Sequence, residues 1–477
     1  MKNNIVKNYL YNLGYQLLIL VVPLVTIPYI SRVLGTENIG LFNFFQSIVS
    51  YFVLFGCIGL NLYGQREVAF CKDSVFRRSR VFWELQIIRL FTISFSVLMY
   101  YLLVLRNAED LTKYYAIFLI EIIAAFFDIS WFFQGVEDFG MQAARNLITK
   151  ILGIVAIFTF VKTEEDLEKY IFWYAITVLI GNLSMWLRLP VYLGKTSIKM
   201  FGISKHIIPV FIVFLPQIAT SIYAQLDKTM LRVFGNYIEV GYYGQAEKIV
   251  KIAVTVTTAL GAVMLSRIAT TFSSGDKKAV KDYIISSFRF LFVIAYPIMF
   301  GIMAISYGMV PWFFGEGYDM VAPCMILLSP IIFIIGLSNV LGTQFLLPTN
   351  HMKEYTVSVS IGLVVNVICN TFLISKWGCL GAAIATVLAE TMVTLVQFYF
   401  VRKDFKLSVL RLGGKNLISA LIMGIVVFAI SLFVEPTFVN TVIEVGVGAV
   451  IYIALIIVLK DEFTVNVIKK IKRKFVK

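Results

Sequence analysis

Several ionisable side chains stand where the surrounding sequence is almost wholly apolar. Arg89 lies in ELQIIRLFT, Arg289 in SSFRFLFVIAYP, and Asp227, Lys228 and Arg232 in AQLDKTMLRVFG. A guanidinium offers a planar fork that meets phosphate with paired hydrogen bonds, and an ammonium acts as a point charge, so these cations suit an anionic group such as a diphosphate. Lys228 and Arg232 are four residues apart and share a helix face. Glu121 and Asp128 are seven apart, which places both on one helical face with Trp131 and Gln134 further along the same side; carboxylates so arranged suit a coupling ion or a proton. Glu390 is their counterpart in the second half of the chain. Internal pairing competes for the same groups: Asp227 with Lys228 or Arg232, Glu84 with Arg89, and the acids with the arginines of a neighbouring helix. Arg289 could also snorkel to a nearby polar surface, as Lys150, Arg188, Lys251 and Arg267 are expected to do from the ends of their segments.

The elements that must position these groups are membrane helices. The chain has 477 residues, 59% of them hydrophobic, with a mean hydropathy of +0.85, which excludes a soluble core wrapped in polar surface. A bilayer's hydrocarbon layer is about 30 Å thick and takes roughly 20 apolar helical residues to cross. Runs of that kind are read over 10–30, 41–62, 81–105, 114–133, 147–161, 170–193 and 207–233. A second set covers 249–272, 284–305, 320–347, 355–375, 379–401, 417–434 and 441–459. The predicted fold is an all-α polytopic membrane protein of about fourteen transmembrane helices. The fifth segment is short and carries Lys150, and the tenth contains Pro323 and Pro330, so their boundaries are the softest. With the N-terminus inside, the inner segments carry 27 Lys and Arg and the outer loops 7, so the positive-inside rule places both termini in the cytoplasm. The net charge of +14 comes from inner segments such as RRSR and the tail KKIKRKFVK, and anionic lipid rather than nucleic acid is its expected partner.

Enzyme chemistry finds little support. The five cysteines have no metal-ligand spacing and read as packing residues, and the two histidines, His206 and His351, fall in inner loops. No Walker-type phosphate loop is present, so ATP hydrolysis is not the expected driving force, and no cofactor is expected beyond a proton or sodium gradient. The first apolar run lacks a small-residue cleavage site and is expected to be retained as a helix.

Two echoes organise the chain. RVLGTENIGLF at Arg32 returns as RVFGNYIEVGYYG at Arg232, and WFFQGVEDFGMQAARNLITKILGIV at Trp131 aligns with QFLLPTNHMKEYTVSVSIGLVVNVI at Gln344. The offsets imply a unit of about six helices, so segments one to six pair with seven to twelve. An even number per unit makes the copies parallel repeats about an axis along the membrane normal, a build suited to rocking around a central cavity and hence to transport. The expected organisation is a six-helix bundle over 1–206, a second over 207–405, and an added hairpin with a basic tail over 406–477. Each R-V-x-G corner would set one arginine, Arg32 or Arg232, beside the outer mouth of such a cavity.

The segments NYLYNLGYQLLILVVPLVTIPYISRVLGTENIGLFNF, DISWFFQGVEDF, QLDKTMLRVFGNYIEVGYYGQAEKI and LGAAIATVLAET together resemble the Wzx-like oligosaccharide flippases of the polysaccharide biosynthesis group, within the superfamily of multidrug, oligosaccharidyl-lipid and polysaccharide exporters. The resemblance covers most of the chain. It implies movement of undecaprenyl-diphosphate-linked oligosaccharide across a bacterial cytoplasmic membrane by alternating access, for surface polysaccharide, with a polymerase and glycosyltransferases as associated proteins. Arg89, Arg289, Lys228, Arg232 and Arg32 would then face the diphosphate, and Asp128, Glu121, Asp227 and Glu390 a coupling ion. A drug or small-cation antiporter of the same superfamily is the alternative, and it would favour unpaired acids and aromatics over these cations. A membrane polymerase or ligase is a weaker third reading, since such enzymes usually carry a large outer loop.

Overall fold

A computed structural model of the chain describes residues 2–196, 201–405 and 407–461; the basic tail beginning at Lys469 lies outside them. The described residues are predominantly helical, with no strand among them. They form two compact units that divide in sequence between Thr229 and Met230. The first contains α1 (Lys2–Cys57), α2 (Leu60–Phe70), α3 (Val75–Leu103), α4 (Thr112–Phe127), α5 (Ser130–Gly135), α6 (Phe139–Phe160), α7 (Leu167–Trp186) and most of α8 (Ser204–Phe234). The second contains α9 (Tyr237–Thr258), α10 (Gly261–Ser273), α11 (Lys277–Phe314), α12 (Val321–Leu328), α13 (Pro330–Ser338), α14 (Met352–Val401), α15 (Gly414–Ser431) and α16 (Phe438–Val458).

Among the described residues eleven helical stretches are long and apolar enough to cross a bilayer. Two of them, Val22–Phe70 and Met352–Val401, run for 49 and 50 residues. At 1.5 Å per residue that is more than twice the hydrocarbon thickness, so each must turn back. The turning points are Gly35 (φ 73°) and Gly378 (φ 53°), left-handed backbone that an L side chain resists. Beyond Gly378 the chain doubles back so closely that a Cβ on Gly381 would collide with the Leu373 backbone, and one on Gly362 with Val393. The small residues of LGAAIATVLAE, buried at Gly381, Ala382, Ala385 and Ala389, are what let the two arms of α14 touch. The segment expected as one helix over 320–347 is divided. Pro330 lacks a backbone donor and opens α13 instead of lying inside a helix, and a π-helical turn follows at Asn339–Leu346.

Matching backbone turns occur in the two echoed segments. Glu137 and Asn350 are both non-glycine residues in left-handed conformation, at φ 63° and 65°. Each is followed by the same closing bond: Asp138 N donates to Phe133 O at 2.8 Å, and His351 N to Leu346 O at 2.9 Å. The helix breaks at Ile58 and Gly59, and again at Ala259 and Leu260, recur about two hundred residues apart, as the echo in sequence requires. The corners are tied alike: Asn38 donates to Glu164 O, and Cys379 N donates to the Glu239 carboxylate at 2.6 Å.

Within the first unit the buried apolar residues fall into two clusters. One gathers Ile58, Leu85, Ile88, Ile129, Trp131 and Phe214, and the other Leu34, Phe45, Val49, Tyr100, Phe118 and Ile122. Helices α3 and α7 contribute buried residues to both, and Arg89 lies on α3 between its two contributions, after Ile88 and before Tyr100.

Candidate functional site: a polar cavity at a broken helix

A cavity of 350 Å³ opens beside the α1–α2 break, lined by Ser50, Cys57, Gly59 and Asn61 and, from α8, by Gln217, Ser221 and Gln225, with Val53, Leu54 and Ala224 as its apolar walls. It lies at the lower end of small-molecule sites, which run from roughly 300 to 1,000 Å³. Gly59 makes the approach of α8 possible. It sits at φ 76°, and a Cβ there would come 3.1 Å from the backbone of Phe214. The Thr229 hydroxyl anchors α8 further along, 3.1 Å from Ser47 Oγ and 3.0 Å from Tyr51 OH. Gln217, Ser221, Gln225 and Lys228 recur at three- and four-residue spacing, so they form one stripe on α8.

Behind Asn61 lies Arg89, 1% exposed. Its guanidinium donates to the backbone carbonyl of Asp128 and to Asn61 Oδ1, and it stands 5.9 Å from the Trp131 ring. Two consequences follow. The Asp128 carbonyl is free because α4 ends at Phe127, and Arg89 satisfies it where water is scarce. The amide of Asn61 is held by its oxygen, so its NH₂ remains to donate elsewhere on a residue that lines the cavity. Both partners of Arg89 are neutral acceptors, and among the described residues no carboxylate pairs with it.

The acids are placed differently from the sequence expectation. Glu121 and Asp128 do not share a helical face, because Asp128 takes extended backbone (ψ 99°) and its Oδ1 accepts from Ser130 N at 3.0 Å, a local turn that competes with the helix. Its nearest basic partner is Arg145, at 3.8 Å. Glu121 stays on α4, with Oε2 buried and lacking a hydrogen-bond partner. Asp227 is 6% exposed on α8, and Glu390 is half-buried on the second arm of α14; both are engaged in further interactions. Lys228 is half-buried and also engaged, and Arg232 stacks over Tyr237 at 4.3 Å. Arg32 is exposed, three residues before the Gly35 corner. Arg289 borders a separate 150 Å³ cavity in the second unit.

Glu84 pairs with other groups instead of Arg89. Fully buried, it accepts from Arg80 Nε at 2.9 Å, from Lys205 Nζ at 2.9 Å and from Gly202 N at 2.6 Å, and lies 2.9 Å from His206 Nε2. His206 is 2% exposed in the first turn of α8 and also meets Tyr63 OH at 2.8 Å, so it is a buried network residue and not a loop residue. Tyr192 donates to Asp138 at 2.6 Å.

Asn61, Gln217, Ser221 and Gln225 were not singled out from sequence. The stripe on α8 was available there, as uncharged polar residues at helical spacing in an apolar run.

Helices broken inside an apolar bundle, beside a hollow lined by hydroxyl and amide side chains, define a multi-pass membrane protein of the transporter type. The chain belongs to the polysaccharide biosynthesis protein family, whose sequence pattern matches residues 5–272. It is 25% identical, over 80% of its length and 93% of the relative's, to a protein of Escherichia coli (strain K12) that carries the name "Putative O-antigen transporter". It is 26% identical to the lipid II flippase MurJ of Bacillus subtilis (strain 168) over 42% of this chain and 37% of that one. Its fold is similar to a solved lipid II flippase MurJ in an inward closed conformation, with a TM-score of 0.74 at 16% identity over 95% of this chain and 98% of that one. An inward-facing multidrug transporter of the MATE family has a TM-score of 0.64 at 13% identity, over 81% of this chain and 94% of that one.

Proposed function

We propose that this protein is a flippase that carries undecaprenyl-diphosphate-linked oligosaccharide from the cytoplasmic to the outer leaflet of the bacterial cytoplasmic membrane, with both termini cytoplasmic, by alternating access between its two repeats. The observation that carries the reading is the first-unit cavity: uncharged hydroxyl and amide groups line it, and a buried arginine that forms no ion pair among the described residues stands directly behind Asn61. Hydroxyls and amides exchange hydrogen bonds with sugar, and an uncancelled guanidinium favours a diphosphate close by. The family and the relatives named as an O-antigen transporter and a lipid II flippase support the same substrate class. A cationic-drug antiporter fits less well, because none of the residues lining this cavity is acidic. Glycosyltransferases that build the sugar unit and a polymerase that uses it are the partners this reading supplies.

Within this reading we assign the uptake of a proton or a sodium ion to Glu121. Its Oε2 is buried without a partner, whereas Asp128 is held by Ser130 and Arg145. The experiment is reconstitution of the purified chain in vesicles, with movement of a fluorescent lipid-linked oligosaccharide followed with and without an ion gradient. Movement of the glycolipid is expected, together with loss of the gradient's effect in Glu121→Gln. Transport of a lipophilic cation with no movement of the glycolipid would overturn the flippase reading.

A further inference from the structure

The second unit contains a cationic cavity that the transport reading does not use. It is lined by Arg289 from α11, by Arg411 and Leu412 from the 3₁₀ turn before α15, by Lys415 and Asn416 from the first turn of α15, by Val293, and by Asp461 just beyond α16. Three cations thus face one carboxylate. Among the described residues Arg289 and Arg411 make no hydrogen bond or ion pair, and Lys415 Nζ donates only to the Lys460 carbonyl, at 3.1 Å. Asp461 is 7% exposed and already engaged. Asn416 is 2% exposed, and its Nδ2 makes no hydrogen bond of normal geometry, with the Tyr452 hydroxyl, itself donating to the Val293 carbonyl, as its protein neighbour. An amide donor buried this deeply without an acceptor is costly unless something else accepts from it. The first N–H groups of α15 add to the demand, since Gly413 at its N-cap offers no side chain to cap them.

We propose that Arg289, Arg411, Lys415 and Asn416 form a binding site for the phosphodiester headgroup of an anionic phospholipid, separate from the transport cavity. The adjoining surface argues for a lipid over a free anion. From this pocket an exposed apolar stripe, Ile418, Leu421, Ile425 and Phe428, follows α15 for most of its length. Acyl chains laid along that stripe would leave their phosphate at the level of Asn416. A bound lipid would brace the α15–α16 hairpin against α11.

The test uses the full chain in detergent, titrated with fluorescent phosphatidylglycerol or phosphatidylcholine. Tighter binding of phosphatidylglycerol is expected, and Arg289→Gln with Arg411→Gln should weaken it by about fivefold per arginine, on the order of thirtyfold together, without changing the phosphatidylcholine isotherm. If the double variant does not elute as a folded species, Asn416→Asp serves in its place and should weaken only the anionic lipid. Equal affinity of the native chain for the two lipids would overturn the site. Displacement of the probe by inorganic phosphate as readily as by unlabelled phosphatidylglycerol would assign the pocket to a free anion and overturn the lipid.

Discussion

Arg89 separates two uses of a buried charge, and changing it together with Asn61 distinguishes them. Arg89→Met keeps an unbranched apolar stem and removes both hydrogen bonds, leaving the Asp128 carbonyl and Asn61 Oδ1 without a donor. Each unsatisfied acceptor costs about 1–3 kcal/mol, and the lost contact with Trp131 about 0.5–1 kcal/mol. Releasing a charge from the membrane interior returns at least about 2.5 kcal/mol. The net destabilisation is therefore modest, about 2 kcal/mol, and the protein should remain in the membrane. Asn61→Asp acts in the opposite sense. It gives the guanidinium a carboxylate, so the bond is kept and strengthened while the charge felt in the cavity is cancelled. If Arg89 serves the substrate, Asn61→Asp lowers transport about tenfold or more with no loss of stability, measured as surface polysaccharide in cells and as the thermal midpoint of the purified protein. If Arg89 only props the break after α4, Asn61→Asp transports no worse than Asn61→Ser, which loses the same NH₂ donor without adding a charge. Normal transport in both Arg89→Met and Asn61→Asp would refute the argument that this charge reaches the substrate.

Three further outcomes follow from particular contacts. Gly381→Leu should prevent the arms of α14 from closing and yield aggregated protein on gel filtration, whereas Gly446→Ala, with nothing within 4 Å of its Cβ, should be neutral or stabilise α16 by up to about 1 kcal/mol. Glu84→Gln removes the carboxylate that Arg80 and Lys205 share and leaves them facing a neutral amide, so it should cost about 3 kcal/mol, read as a lowered thermal midpoint. Ser221→Phe should narrow the 350 Å³ cavity and slow glycolipid movement while expression and gel-filtration behaviour stay normal; undiminished transport would place the substrate path elsewhere.

Much of the architecture was legible because it follows from one-dimensional constraints. Apolar runs long enough to cross a bilayer, cations biased toward alternate loops, and two echoed motifs specify an all-helical, duplicated membrane protein before any contact is known. The echo at Trp131 and Gln344 even marks where Glu137 and Asn350 take the same left-handed turn, since a polar break between helices needs the same backbone in both copies. The sequence also located Arg89 as a charge that must find company inside the membrane. Which company it found was decided in three dimensions. Helical periodicity states which residues share a face, and that inference failed at Asp128, where a side-chain bond to Ser130 ended α4 and released the carbonyl that Arg89 takes up. Nor can periodicity state which helix a face will meet. Asn61 gained its place in the cavity wall from the break at Gly59 and the approach of Phe214, and Arg289 met the α15–α16 hairpin. A buried polar group is satisfied by whatever donor or acceptor packing brings within 3 Å or so, and that depends on the tertiary arrangement of segments far apart in the chain.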